Sequence, residues 1–541
     1  MSTIESNEYN ISLKILFITP FIGYLLLVYP LLNQLPMHEE VVHVIDTDSW
    51  KVAIEYWWHP PLYVLLVRLF RSIFGDSYKV IYSVGIIAAL FNIYFVKIII
   101  ETLLQAFDTS KRTKYMLIGM WSFVLMPITV SGSILLEMEP AVLTPLCLLA
   151  IWYYLKNENK TDSLKFKCVV GLLFGLTMWA KIFATPFLLI GAIFIHEWRS
   201  GNSIRKAAKD FSVILFSALL LFVPTYMTYA YLFLHGKNTI SFIFSDKISA
   251  DAPLYASGKI LIPIASKLIA WSFWFSPYFI ILMCYLTYRM FGNITTFRKE
   301  LFLVIAIISI LLFYLVMSPY LFLESKYFYP IFPLIAILFS SILAREELTF
   351  PIVKYAYIIP VVAIGQFLLI GDPLFKNLFL FRNNLIHKLI VYNINYLIFN
   401  IILFLVVLFV LKNVIPTHHK LVCISLILLS ISSSLSLFAN QAIGQYQTKY
   451  QYGETGASET IEYIKRSISS QNNVILPFDI KYYAGIKYMN ESSKITDLED
   501  NVFQWDWIIE RHVNILKIPS QYLTDYSLVK KFGSYEILKH K

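Results

Sequence analysis

Leu62-Tyr63-Val64-Leu65-Leu66-Val67-Arg68-Leu69-Phe70-Arg71-Ser72-Ile73-Phe74 is the stretch that decides how the rest of the chain is laid out. It is shorter than the roughly 20 apolar residues a spanning helix needs, and Arg68 and Arg71 interrupt it. Read as a helix, it puts Leu62, Leu65, Leu66, Leu69 and Phe70 on one side, the pattern of an amphipathic helix lying in a membrane interface. The choice has consequences. Counted as a span, it would invert every later segment and put Lys111-Arg112-Thr113-Lys114 outside, against the positive-inside tendency. Counted as interfacial, it leaves the dense basic connections together on one side.

Working outward, apolar runs of spanning length recur from Leu13 to Phe438. They predict a polytopic α-helical membrane protein with about 13 transmembrane helices. The expected spans are residues 13–32, 79–100, 115–131, 140–156, 166–180, 182–197, 211–233, 259–284, 301–317, 328–343, 352–371, 390–411 and 421–438. The break inside 166–197 falls at Trp179-Ala180-Lys181, because a lysine deep in lipid costs a few kcal/mol. Composition agrees: 57% of the 541 residues are apolar and 15% charged, against about 25% charged in soluble domains. Aromatics, at 16%, suit lipid contact and interfacial belts. The first span lacks a basic leader and a small-residue cleavage site, so it reads as a retained anchor. Cys147, Cys168, Cys284 and Cys423 have no paired spacing and predict neither a disulfide framework nor a thiolate metal site.

The net charge of +10 does not point to nucleic acid, because much of the Lys and Arg sits in short connections. With the N-terminus cytoplasmic, residues 111–114, 156–167 and 199–209, together with Arg289, Arg298-Lys299, Arg345 and Lys412, fall on the inner side. Residues 33–78, 132–139, the turn at Lys181, 234–258, 318–327, 372–389 and everything after 440 fall outside. The expected protein is thus multi-pass in a plasma membrane, with Glu39, Glu40, Glu137, Glu139, Lys181 and Lys326 sharing the outer side. Composition changes near residue 440. Residues 1–440 are expected to form the membrane domain, and 441–541 a small extracytoplasmic α/β domain. In the latter, 473–477 and 513–518 read as strands, and 458–469 and 525–532 as helices. It carries no Gly-rich phosphate loop or nucleophile elbow and reads as a cap or docking surface.

Polar chemistry concentrates around the first loop. In His38-Glu39-Glu40-Val41-Val42-His43, a zinc-protease helix would need His at i and i+4, and His43 stands at i+5. Glu39 and Glu40 are either solubilising charges or, under a substrate cavity, a pair in which partial burial raises one carboxylate into the range of a general base. Asp46, Asp48 and Glu55 either solvate the loop or offer hard oxygens to magnesium or manganese. In His59-Pro60-Pro61-Leu62-Tyr63, tandem proline fixes an extended approach to the amphipathic helix and holds His59 near its N-terminus, where a phosphate can bind. Glu137 and Glu139 flank Met138 at the mouth between two spans. At i and i+2 they would occupy different helix faces, so one of them is expected to face a cavity. Lys181, Lys326, Tyr327 and Tyr329 can offer charge and hydroxyls to a phosphate, or Lys326 can snorkel or pair with Glu324.

Several of these segments recur together in a known order. Glu39-Glu40, Trp57-Trp58-His59-Pro60-Pro61-Leu62-Tyr63, Phe74-Gly75, Ser131 through Glu139, Gly171 through Lys181, and Lys326-Tyr327-Phe328-Tyr329-Pro330-Ile331-Phe332-Pro333 resemble the landmarks of the GT-C glycosyltransferases. The similarity is to the protein-mannosyltransferase and aminoarabinose-transferase group and covers the region through about residue 440. It implies transfer of a sugar from a polyisoprenyl-phosphate or diphosphate donor to a protein, lipid or glycan acceptor at the outer membrane face, by inverting displacement. It implies catalytic acids at Glu39, where the group usually has Asp, and at Glu139 in preference to Glu137. Glu40, His59, Tyr63, Glu137, Lys181, Lys326 and Tyr327 would then bind substrate, with a magnesium or manganese ion left open. Two other classes fit the same polarity: a flippase or transporter for lipid-linked sugars, and a non-catalytic assembly scaffold. The polar landmarks cluster at one face rather than at the midplane, and inverted halves are not apparent, which favours the enzyme.

Overall fold

A computed structural model of the protein describes residues 3–33, 35–36, 39–182, 184–235, 237, 276–291, 297–317, 325–346, 357–366, 386–412, 415, 417–443, 456–469, 471–485, 490–491, 505–511 and 523–541. The expected span 259–284 falls largely outside these residues, and so does half of 352–371. Helix α1 (Thr3–Val28) leads through a 3-10 turn, Tyr29–Asn33, into three short helices of the first loop. These are α2 (Glu39–Ile45), α3 (Trp50–Ile54) and α4 (Leu62–Phe74). Helix α4 has the bounds its amphipathic pattern predicts. It buries Tyr63, Val64, Val67 and Arg71 and leaves Leu69, Ile73 and Phe74 exposed, as a helix in an interface requires.

The membrane part continues with α5 (Tyr78–Leu103), α6 (Thr109–Val124), α7 (Pro127–Ser133), α8 (Thr144–Lys156), α9 (Leu164–Met178), α10 (Thr185–Arg199) and α11 (Ile204–Phe233). Then come α12 (Pro277–Phe291), α13 (Arg298–Met317), α14 (Ile331–Arg345), α15 (Ile386–Leu411) and α16 (His418–Ile443). Among the described residues, Ile15–Asn33, Tyr78–Leu103, Ile204–Phe233 and His418–Ser436 are helical, long and apolar enough to cross a membrane. The expected span 115–131 is a bent pair: α6 and α7 meet at 60°. Pro127, at the first position of α7, has no N–H with which to continue the α6 ladder. Helices α9 and α11 approach backbone to backbone. A Cβ at Gly175 would lie 2.8 Å from the Ala218 carbonyl oxygen, and one at Gly171 would collide with that of Ile214. This is the small-xxx-small solution to helix packing in lipid, where close contact replaces the hydrophobic effect.

Polar contacts sort into two groups in the bundle. One end gathers the pairs Arg345–Glu300, Arg298–Glu158, Lys299–Glu158, Lys167–Asp210 and Lys206–Asp162. The other end carries α2 to α4, the α7–α8 loop, the α9–α10 turn and a 3-10 turn at Ser325–Phe328. This is the grouping that the basic connections predict.

The C-terminal region contains α17 (Ala457–Ser467), α18 (Phe478–Ala484) and five strands: β1 (Val474–Leu476), β2 (Asn490–Glu491), β3 (Trp507–Arg511), β4 (Tyr526–Phe532) and β5 (Tyr535–His540). The strand order is β2-β1-β3-β5-β4, with β1 parallel to β2 and β3, and β5 antiparallel to β3 and β4. Helix α17 and strand β1 fall where 458–469 and 473–477 predict them. The segment 525–532 does not: it is strand β4 rather than a helix. Phe532 pairs with Tyr535 across Gly533-Ser534, and Gly533 takes a positive φ of 52°, so the tight turn commits its flank to a hairpin. The strand expected at 513–518 lies outside the described residues.

Candidate functional site

The α7–α8 loop is where the bundle places its acids. Leu136 and Glu137 are not helical, and Glu139–Leu143 winds as a single π-turn with Pro140 at its start. Such wide turns interrupt a helix and re-aim its side chains. Freed from a common helix, the two carboxylates both turn inward, rather than one alone. Glu137 Oε2 lies 3.6 Å from His43 Nε2 on α2, and Glu139 Oε1 accepts a hydrogen bond from the Lys181 ammonium in an ion pair. Glu139 is 1% and Lys181 8% exposed, so each charge depends on the other for compensation. The second Glu139 oxygen, Oε2, is buried with no hydrogen-bond partner among the described residues.

Lys181 is aimed by a rigid turn. Helix α9 stops at Met178, and the Trp179 ring stands edge-on to Phe222, Tyr226 and Tyr229 of α11. Trp179 Nε1 donates to Thr225 Oγ1 at 3.2 Å, and the Tyr229 hydroxyl donates to the Ile54 carbonyl, tying this wall to α3. Ala184 then holds a φ of 66°, a conformation that costs a non-glycine residue about 1–3 kcal/mol. It turns the chain into α10, whose Thr185 hydroxyl lies 3.4 Å from that of Tyr314. The Lys181 ammonium sits 4.1 Å from the centroid of the Tyr327 ring, which stacks on Tyr314 at 5.6 Å. A cation held between a carboxylate and an aromatic wall is localised. Such a cation is suited to an incoming anion.

His43 joins the acids to the first loop. Its Nδ1 is 3.9 Å from Asp46 Oδ2, and the edge of Tyr63 meets its ring at 6.1 Å. Burial raises the Asp46 carboxyl above the usual carboxylate range; His43 opposes the shift and Asp48 adds to it. The backbone of α2 puts Glu39 one helical turn before His43, on the same side of the helix. The side chains of Glu39, Glu40 and Lys326 lie outside the described residues, with Lys326 placed by its backbone in the 3-10 turn beside Tyr327. His59 is half-buried in the bend before α4. Tyr63 and Glu137 therefore meet around His43, while Glu139, Lys181 and Tyr327 form the adjoining group.

Two of the first-loop acids weighed for a metal are otherwise placed. Asp48 is taken by Arg71, whose NH2 lies 2.9 Å from Oδ1, and Glu55 is exposed. Among the described residues no three His, Cys, Asp or Glu side chains come together as a metal site. An apolar cavity of about 160 Å³ does exist, but it lies between α6, α12, α14 and α16, lined by Trp121, Phe279, Phe339 and Ile427. It touches none of the residues above, so converging charge rather than volume locates the site. His43, Thr185 and Tyr314 have no site assignment from the sequence, and Asp46 enters there only with the loop acids. For His43 the signal was its i+4 spacing from Glu39, hidden by the zinc-motif comparison with His38.

Buried charge gathered at one end of a largely helical membrane bundle, beside short helices of the first loop and a small C-terminal β-containing region, defines the class of fold. The comparisons agree. Residues 58–228 match the family described as dolichyl-phosphate-mannose-protein mannosyltransferase. The chain is similar in fold to ArnT from Cupriavidus metallidurans bound to undecaprenyl phosphate, with a TM-score of 0.57, 11% identity and 97% of each chain covered. The apo state of that protein gives a TM-score of 0.55, 12% identity and 98% coverage of each chain. No curated protein matches the chain. The fold is thus that of the ArnT structures over nearly the whole chain, and residues 58–228 carry the protein-mannosyltransferase match.

Proposed function

We propose that the protein transfers a sugar from a polyisoprenyl-phosphate donor to an acceptor hydroxyl or amine at the extracytoplasmic membrane face. The observation that carries this reading is the buried Lys181–Glu139 pair, walled by Tyr327 and placed at the same end as the helix bearing Glu39. That the similar ArnT structure holds undecaprenyl phosphate supports a lipid-phosphate donor. In this reading residues 1–440 form the transferase and 441–541 an extracytoplasmic domain, the ion-paired basic end of the bundle facing the cytoplasm.

The chemistry follows from the charges. The donor phosphate is drawn to the Lys181 ammonium, which it shares with Glu139, while Lys326 stands in the neighbouring turn. The acceptor attacks the anomeric carbon from the side opposite the phosphate. As its new bond to carbon forms, the carbon–oxygen bond to phosphate breaks and its electron pair leaves with the polyisoprenyl phosphate. The acceptor proton passes to Glu39, and Lys181 stabilises the charge growing on the leaving oxygen, an interaction stronger in the transition state than before it. A single displacement inverts the anomeric centre. Glu137 and His43 complete the polar wall against which the sugar would be oriented.

The test is purified protein incubated with a labelled polyisoprenyl-phosphate sugar and acceptor. Covalent transfer is expected, and Glu39→Gln should lower kcat by about 100-fold or more while donor binding is kept. Movement of the label across a vesicle membrane without transfer would instead identify a transporter. Normal turnover by Glu39→Gln would remove that residue from the reaction.

A further inference from the structure

We propose that helix α18 of the C-terminal region is a positioning clamp, its Tyr482 and Tyr483 hydroxyls fixing the two flanks of the helix that carries Glu39. The proposal rests on the reading of Glu39 given above, and it assigns a task to a region that otherwise has none.

Helix α18 is short, bounded by Pro477 before it and by Gly485, at a φ of 71°, after it. Ile480 and Ala484, one turn apart, bury it in the core of the C-terminal region. Tyr482 and Tyr483 are adjacent, so they leave the helix about 100° apart and reach different targets. The Tyr483 hydroxyl donates to the Pro36 carbonyl at 2.6 Å, three residues before Glu39. The Tyr482 hydroxyl donates to Asp48 Oδ1 at 3.3 Å, three residues after α2 ends at Ile45. Both flanks are secured further. Leu35, like Tyr483, packs against the C-terminal core, and Asp48 is held from the other side by the buried Arg71.

The clamp matters because α2 cannot hold itself. Seven residues form too few hydrogen bonds to offset the cost of starting a helix. The Pro36 carbonyl lies outside α2, so its bond to Tyr483 adds order that the helix cannot supply. A catalytic carboxylate on an unanchored turn would wander by an ångström or more, enough to cost on the order of 100-fold in rate. Burial and the neighbouring Asp48 raise the Tyr482 hydroxyl above its ordinary range, so it remains a neutral donor throughout the physiological span of pH.

Tyr482→Phe, Tyr483→Phe and the double variant remove the hydroxyls and nothing else. They are to be made in the full-length protein and read by transfer kinetics, thermal unfolding and hydrogen–deuterium exchange. The clamp predicts a kcat about ten-fold lower or more in the double variant, KM for the lipid donor within about two-fold and Tm nearly unchanged. Exchange should rise selectively in residues 35–48. Wild-type kcat and wild-type exchange in the double variant would overturn it, as would exchange rising equally along the whole chain. If the wild-type protein transfers no sugar, the functional reading fails by itself. The exchange of residues 35–48 then still decides whether α18 orders this segment.

Discussion

Glu139 is the residue whose surroundings say most about how the site responds to ligand. In the structure its carboxylate is the counter-ion of Lys181, and both are buried. On the proposed reading, a donor phosphate shares that lysine with a carboxylate already bound to it. Glu139→Gln removes the competitor and leaves the ammonium uncompensated, which should cost about 3–5 kcal/mol of stability without ligand. The phosphate then supplies the missing charge. The rise in Tm on adding polyisoprenyl phosphate should therefore be larger for Glu139→Gln than for the wild type; an equal or smaller rise would show that the pair does not meet the phosphate. Asp46 makes a second prediction. Its carboxyl is raised above its unfolded value, burial being the main cause. The folded state therefore binds the proton more tightly than the unfolded one. The stability this contributes is full below the unfolded value and is lost as pH rises through the folded one. Asp46→Asn, permanently neutral, should raise Tm at pH 7 relative to the wild type, with the difference vanishing towards pH 3 in a pH series of melts.

At the scale of elements, the first loop is stitched by one side chain. Arg71, buried on α4, donates from NH1 to the Val44 carbonyl and Thr47 Oγ1, both at 2.8 Å, and reaches Asp48 from NH2 and Asp76 from Nε. It thereby pins the end of α2 to α4. Arg71→Met should lower Tm by an amount equivalent to about 1–3 kcal/mol, since buried acceptors lose their donor. Arg71→Lys should recover little, because one ammonium cannot present a planar fork to acceptors on two sides. Both should open residues 41–48 to proteolysis. Sequence alone reached α4 itself, because thirteen residues with two arginines cannot span and their apolar side is clear. It also reached the break before α10, because Lys181 is too costly to leave in lipid. The bend at Pro127 and the π-turn at Glu139 were not legible, since an unbroken apolar run hides where a ladder slips. Strand β4 was misread because Lys530 and Lys531 mask its alternation, and the hairpin turn that fixes it was given no weight. Lys181, Glu139 and Tyr327 were legible as types at one membrane face. The Glu137–His43 contact was not, since it joins α2 to a loop that is remote in sequence.

The whole molecule is polarised, and that polarity makes the last prediction. One end of the bundle carries the basic connections, each neutralised in part by an acid across the gap: Glu158 by Arg298 and Lys299, Glu300 by Arg345, Asp210 by Lys167. The opposite end holds the Glu137–His43 and Lys181–Glu139 contacts together with α2 to α4, and α18 reaches it from the C-terminal region. Basic loops between spans resist translocation, so the first end should face the cytoplasm, and a lipid-linked donor would be used at the other. In a variant whose native cysteines are replaced, single cysteines at Lys160 and Arg205 should be shielded from an impermeant maleimide in intact cells. Cysteines at Asp76 and Lys541, on the opposite side, should react. The outcome is a matter of charge alone, because the short loops 156–167 and 199–209 contain little else that could be read by the insertion machinery. Labelling at Lys160 together with protection at Lys541 would invert the molecule and place the site on the cytoplasmic face. The same inverted pattern is what α4 counted as a span would give, since all four positions follow it.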